Sequence, residues 1–159
     1  MECGSCSRGP ELTVLPRLPE VVEAIRSRKP VPVPDDASRP YWEAARQRRL
    51  VVQHCEACGR DQFPPDLICR YCQSDRLGFL DTAGRGVIYS FAVYMRSFMA
   101  GFDAPYVLAL IDLDAHPGVR MMSNIVETPI PSISVGMPVE VTFEERGEWF
   151  VPQFRAIGR

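Results

Sequence analysis

Histidine is nearly missing from this chain, with two in 159 residues, and lysine is rarer still: Lys29 stands alone beside 17 arginines. So few imidazoles leave little material for general acid–base chemistry. His54 adjoins a cysteine, and His116 sits in Ala115-His116-Pro117-Gly118, a turn expected to leave it in solvent. No Gly-x-Ser-x-Gly elbow, P-loop or dinucleotide-binding glycine pattern occurs. Asp112 and Asp114 flank a strand end before that turn, where acids usually face water. The chain reads as catalytically empty.

Long apolar runs are absent too. None approaches the roughly 20 residues that cross a bilayer, and Met1-Glu-Cys-Gly-Ser-Cys6 has no basic stretch followed by an apolar one. The expectation is a cytoplasmic protein without a membrane segment. A length of 159 residues suits one compact domain or two small ones, and is too short for a catalytic barrel of about 250 residues. Positive charge is scarce where nucleic acid would need it. The formal charge is −2, and residues 97–159 carry 4 basic against 8 acidic side chains, the wrong balance for a surface that neutralises phosphates.

What is present changes along the chain. Residues 1–17 mix Gly, Ser, Pro and Arg as an irregular tail, with Cys3 and Cys6 as free thiols. Leu18–Arg26 reads as a short helix with Pro19 in its first turn and Val21, Val22 and Ile25 as its apolar stripe. Lys29-Pro-Val-Pro-Val-Pro34 must be extended, because alternating prolines forbid helix. A second helix is predicted from a Ser38 cap, with Pro40 in its first turn, to about Arg49. From Leu50 onward the signal is β, with candidate strands at 86–95, 106–113, 119–126, 138–143 and 149–156, separated by Gly, Pro, Asp and Asn. Five short strands in this span suit a small barrel of the OB type.

Cysteine carries the chemistry. Cys55-Glu-Ala-Cys58-Gly59 is followed after ten residues by Cys69-Arg-Tyr-Cys72. Each pair makes a tight turn that aims two sulfurs at one point, and the span between lets the second pair complete a tetrahedron. Gly59 permits the backbone a positive φ beside the first pair. The four thiolates Cys55, Cys58, Cys69 and Cys72 predict a closed, structural site for zinc, with rubredoxin-type iron the less favoured ion.

With those residues in view, the chain resembles the zinc-ribbon/OB-fold proteins that accompany thiolases, a family long labelled a domain of unknown function and described as acyl-CoA-associated. The resemblance rests on Leu50-Val-Val-Gln-His-Cys55-Glu-Ala-Cys58-Gly59, Phe63-Pro64-Pro65, Cys69-Arg-Tyr-Cys72 and Gly84-Arg-Gly-Val-Ile-Tyr-Ser-Phe91. It continues through Pro105-Tyr-Val-Leu-Ala-Leu-Ile-Asp112-Leu, Met122-Ser-Asn124-Ile and Val135-Gly-Met-Pro138, with Tyr41-Trp42 as the aromatic pair of the helix before the ribbon. It implies a mostly β protein with N-terminal helices: 1–49 as tail and helices for partner docking, 50–80 as a rubredoxin-like zinc ribbon, and 81–159 as a five-stranded OB-fold barrel.

The same resemblance implies a small, non-catalytic subunit of a thiolase or thiolase-like aldolase, in a heteromer for which two copies of each chain is one arrangement. A large subunit would supply the nucleophile, and acyl-CoA would be shared between the two. Degradation of aromatic acids, steroids or fatty acids is the implied setting, and benzoylsuccinyl-CoA cleavage is one case within the group. Arg60, Phe63, Pro64, Pro65, Arg70, Tyr41 and Trp42 are the expected acyl-CoA or partner contacts, with packing under the metal knuckle as the other role open to Phe63. Two other readings stand beside this one: a single-stranded nucleic-acid module stacking bases on Tyr89, Phe91, Tyr94, Tyr106 and Phe143, and a free acyl-CoA carrier.

Overall fold

Strict alternation of buried and half-buried side chains along Tyr106–Leu113, an almost wholly apolar run, sets the architecture, because a strand with one buried face must close its sheet over that face. A computed structural model describes residues 29–99 and 101–158. The helix expected at 18–26, Cys3 and Cys6 lie outside the described residues. Among the described residues, eight strands and one α-helix follow in order: α1 (Arg39–Arg46), β1 (Val51–Cys55), β2 (Asp61–Gln62), β3 (Leu77–Asp81), β4 (Arg85–Tyr94), β5 (Tyr106–Leu113), β6 (Arg120–Ile125), β7 (Pro138–Arg146) and β8 (Trp149–Ala156), with a 3-10 turn at Ile130–Ser132.

The first three strands form a small antiparallel sheet in the order β2-β1-β3, and the last five close a barrel in the order β4-β5-β6-β8-β7. Antiparallel pairing is broken only where β6 meets β8, in parallel at Ile125 and Phe154. Contacts of Arg85–Val87 with Pro138–Glu140 close the ring. This is the OB-fold barrel expected from the strand spacing. A bulge between Ile88 and Ser90 shifts the β4 register and turns Tyr89 outward. At Gly86 an added Cβ would lie 2.4 Å from the Asp112 carbonyl oxygen, so this crossing of β4 and β5 admits no side chain.

Inside the barrel Ile88, Val107, Ala109, Ile111, Met121, Val139 and Phe154 are buried, and the same cluster continues into Leu50, Val51 and Val52 of the ribbon and into Tyr41 and Ala44 of α1. Ribbon, helix and barrel therefore share one apolar core. On its outer side α1 lies against the β7–β8 hairpin, with the Arg46 and Arg48 guanidinium groups over the Trp149 and Phe150 rings.

Helix α1 departs from the sequence expectation at both ends. Ser38 does not cap it through its side chain. Instead the Ser38 N–H donates to Asp35 Oδ1 (2.8 Å), while the Asp35 N–H donates to Ser38 Oγ (3.1 Å), a reciprocal box one turn earlier. The helix ends at Arg46 rather than near Arg49, because Arg48 takes a left-handed φ of 57°. The Arg49 N–H then returns to the Ala44 carbonyl and that of Arg48 to Ala45, the double bond of a Schellman end. Among the described residues no helix is long and apolar enough to cross a membrane.

Candidate metal centre

The four predicted cysteines come together. Their Sγ atoms all lie within 4.8 Å of one another, with Cys55 to Cys72 at 3.6 Å and Cys58 to Cys69 at 3.7 Å. Four sulfurs bound at about 2.3 Å to one tetrahedral ion stand about 3.8 Å apart, so the spacing fits such an ion. Local backbone explains the convergence. Cys55 ends β1, and the Gly59 N–H closes the first turn on the Cys55 carbonyl (2.8 Å), with Gly59 at a φ of 69°. The second turn repeats this: the Gln73 N–H donates to the Cys69 carbonyl (2.8 Å), and Gln73 takes a φ of 60°. Cys55 and Cys69 are buried, while Cys58 and Cys72 face outward.

Electrostatics pull the sulfurs in two directions. Burial raises the Cys69 thiol, but N–H donors from Tyr71 (3.4 Å) and Cys72 outweigh it and bring the group well below the ordinary thiol range. Cys72 moves the other way: the Ser74 N–H favours its thiolate, and burial with the neighbouring thiols of Cys55, Cys58 and Cys69 opposes it more strongly. Four sulfurs this close cannot all ionise without a positive charge among them. The set of four thiolates with no oxygen donor fits zinc or iron and would suit neither calcium nor magnesium.

Around the sulfurs, sequence reasoning missed most of the support. Gln53 and Gln62 oppose each other across β1 and β2 and are 3% and 1% exposed. Gln62 Nε2 donates to Gln53 Oε1 (2.6 Å) and to the Ile68 carbonyl (3.2 Å), and Gln53 Nε2 donates to the Asp66 carbonyl (2.8 Å). The Asp66 and Arg70 N–H groups donate to Gln53 Oε1 and Gln62 Oε1, both at 2.9 Å. The loop from Gln62 to Cys69 is thus tied down from beneath. Its one sequence signal is an amide on each side of the first cysteine pair.

The next pair along the same two strands, His54 and Asp61, joins ribbon to barrel. Asp61 accepts from His54 Nδ1 at Oδ1 and from His116 Nδ1 at Oδ2, each at 2.7 Å. His116, expected in solvent, is only 9% exposed, because its turn folds under the ribbon rather than away from it. Desolvation raises the Asp61 carboxyl, but the hydrogen bonds and charges of His116 and His54 prevail and hold it below its ordinary value.

The expected contact residues separate into two groups. Tyr41 is buried, and its ring meets Phe63 at 5.4 Å and Trp42 at 5.0 Å between centroids. Phe63 therefore packs on Tyr41 of α1 and is partly buried against the core. Burial also pushes the Tyr41 hydroxyl strongly up. Arg60, Pro64 and Arg70 lie at the surface, with Pro65 and Trp42 half-buried. Arg60 sits over the Tyr71 ring and Arg70 donates to the Pro64 carbonyl (3.2 Å). Beside them Leu67, Ile68 and Tyr71 are 65%, 49% and 44% exposed, an apolar surface that the sequence reading did not single out. On the barrel the aromatics named for base stacking are largely engaged: Arg120 covers Tyr89, and Tyr94 stacks on Tyr106.

Comparison with known proteins places these features in one lineage. The model of the ChsH2 rubredoxin-like zinc ribbon domain matches residues 42–78, and that of the ChsH2 C-terminal OB-fold domain matches residues 81–144. The chain is 38% identical over 116 residues to a probable enoyl-CoA hydratase alpha subunit of Thermomonospora curvata, covering 72% of this chain and 36% of that protein, so it spans about a third of that relative's length. It is 35% identical over 113 residues to a DUF35 domain-containing scaffold protein of Methanothermobacter thermautotrophicus, covering 67% of this chain and 84% of that one. Among solved structures, the Ltp2-ChsH2(DUF35) aldolase matches with a TM-score of 0.72 and 35% identity, over 79% of this chain and 98% of the matched chain. The chain belongs to the ChsH2-type DUF35 family, in which a rubredoxin-like ribbon leads into an OB-fold.

Proposed function

We propose that this chain is the zinc-binding, non-catalytic accessory subunit of a thiolase-like enzyme that makes or breaks a carbon–carbon bond beside an acyl-CoA thioester. The observation that carries the reading is a closed four-sulfur ribbon on a chain that covers 98% of its match in the Ltp2-ChsH2(DUF35) aldolase at 35% identity. When zinc is held by four thiolates, no position is left for water or substrate, so its part is structural. The nucleophile then belongs to a companion large subunit, in a heteromer with two copies of each chain. Acyl-CoA lies between the subunits, and the setting is cytoplasmic catabolism of aromatic, steroid or fatty acyl groups.

The ribbon surface supplies the contact. Arg60, Pro64, Pro65 and Arg70 border Leu67, Ile68 and Tyr71, while Tyr41, edge-on to Trp42, packs against Phe63 of the same loop. Burying apolar side chains that already stand in a fixed loop costs little ordering entropy. Arginine at the rim suits carboxylates of a partner or the phosphates of CoA.

Co-expression with the thiolase-like large subunit encoded nearest to this chain is the test. The expected result is a stable heteromer with one zinc per copy of this chain, and thioester-dependent carbon–carbon cleavage that disappears when this chain is omitted. Turnover by the isolated chain would overturn the proposal, as would a chain that stays alone and binds oligonucleotides with steep salt dependence.

A further inference from the structure

We propose that Gln53 and Gln62 are positioning residues for the metal centre: a buried amide relay that sets the second cysteine pair in place before any ion arrives. The inference rests on the metal-binding reading of the four cysteines and goes beyond it, because it assigns the geometry of the site to two side chains that are not ligands.

The relay runs from one cysteine pair to the other. Gln53 stands two residues before Cys55 on β1, and Gln62 stands opposite it on β2. The Gln62 carboxamide donates twice, to Gln53 and to the Ile68 carbonyl, and accepts from the Arg70 N–H. Those last two groups flank Cys69 on either side, so one side chain fixes the backbone both before and after a ligand. Gln53 holds Asp66 by both its N–H and its carbonyl. No buried side-chain polar atom among the described residues lacks a partner, so the relay is fully satisfied, the condition under which a buried polar network specifies one arrangement. Beneath it Val52 and Leu50 belong to the apolar core, which anchors the relay to the barrel and not to the ion.

Metal-ligand supports of this kind change affinity by about 10- to 100-fold when removed. The test is metal affinity of the full chain by chelator competition with zinc and by cobalt titration. Gln62→Leu should weaken both ions by at least tenfold, yet at saturation give the same tetrahedral-thiolate cobalt spectrum as the wild type, since all four ligands remain. Gln153, another buried amide, lies in the barrel away from the sulfurs. Gln153→Leu should lower the melting temperature and leave metal affinity unchanged, which separates positioning from general stability. Hydrogen exchange on chelated wild-type protein should keep the Asp66 and Arg70 amides protected.

If Gln62→Leu fails to fold, Gln62→Met fills nearly the same space, leaves Gln53 holding Asp66, and should fold with the same weakened affinity. Affinity within twofold of wild type in these variants, or loss of Asp66 and Arg70 protection on chelation, would overturn the relay. Wild-type protein that binds neither zinc nor cobalt would instead overturn the metal reading itself, and the relay with it.

Discussion

Asp61 of the ribbon and His116 of the barrel meet at 2.7 Å, and this contact fixes how the two parts of the molecule sit. The two residues are 55 positions apart in the chain, yet both side chains are largely covered, at 15% and 10% exposure. Together with His54 on the other carboxylate oxygen, the bridge uses both histidines of the sequence. Their scarcity therefore reflects a structural assignment, two imidazoles given to one aspartate.

Replacing Asp61 tests that assignment. Asp61→Ala leaves two ring N–H groups without an acceptor in a mostly covered site, and the expected cost is about 1–3 kcal/mol, measured as a lower urea midpoint. Asp61→Asn keeps an acceptor for one imidazole and should lie between the two.

The same carboxylate gives an acid-side signature. Burial raises Asp61, while the hydrogen bonds of His116 and His54 lower it further than burial raises it. A carboxyl depressed in the folded state contributes stability that is complete above its ordinary value of 3.8 and is lost as pH falls through the lower folded value. Urea unfolding followed from pH 6 downward should show a shallower loss for Asp61→Asn than for wild type. Parallel curves would mean the carboxylate is not the group being titrated.

On the outer ribbon surface, Leu67→Asp or Ile68→Asp should weaken binding to the proposed large subunit by at least tenfold, since a desolvated charge would replace an apolar contact. Tyr71→Ala should cost about 1–2 kcal/mol of binding, because an aromatic ring under an arginine is the kind of side chain that dominates interfaces. Metal content and melting temperature should not change. Calorimetric titration against the large subunit checks the first expectation, and zinc analysis with thermal melts checks the second.

Gly86→Ala probes the barrel closure. The new Cβ would stand 2.4 Å from the Asp112 carbonyl and 2.9 Å from Ile111 Cγ2, and neither β4 nor β5 can retreat without breaking its ladder. Overpacking of this sort costs about 1–3 kcal/mol. A fall in the denaturation midpoint of the whole chain, ribbon signals included, is expected because the core is shared.

How much of this was legible in the sequence depends on the range of the interaction. The cysteine pairs declared a tetrahedral site because their spacing alone sets the turn geometry, and the five barrel strands were found within a few residues because period-two alternation is local. Helix α1 was placed correctly but its ends were not: Asp35 competed with Ser38 for the cap, and Arg48 took a conformation that glycine would have advertised. His116 was misplaced because Pro117 and Gly118 announce a turn but not which surface that turn will meet.

Gln53 and Gln62 show in the sequence only as an amide on each side of the first cysteine pair, and Leu67 and Ile68 carry no pattern of their own. Their roles arise from two short strands lying opposite each other and from which side of one loop faces the core. By itself the sequence determined the ligand set, the strand periodicity and the family, all consequences of bonding and packing between near neighbours in the chain. Only the tertiary structure decided which polar groups are sealed inside, which apolar ones stay outside, and that one aspartate binds the ribbon to the barrel. Those outcomes depend on contacts between segments tens of residues apart, for which the order of residues supplies the parts but not the meeting point.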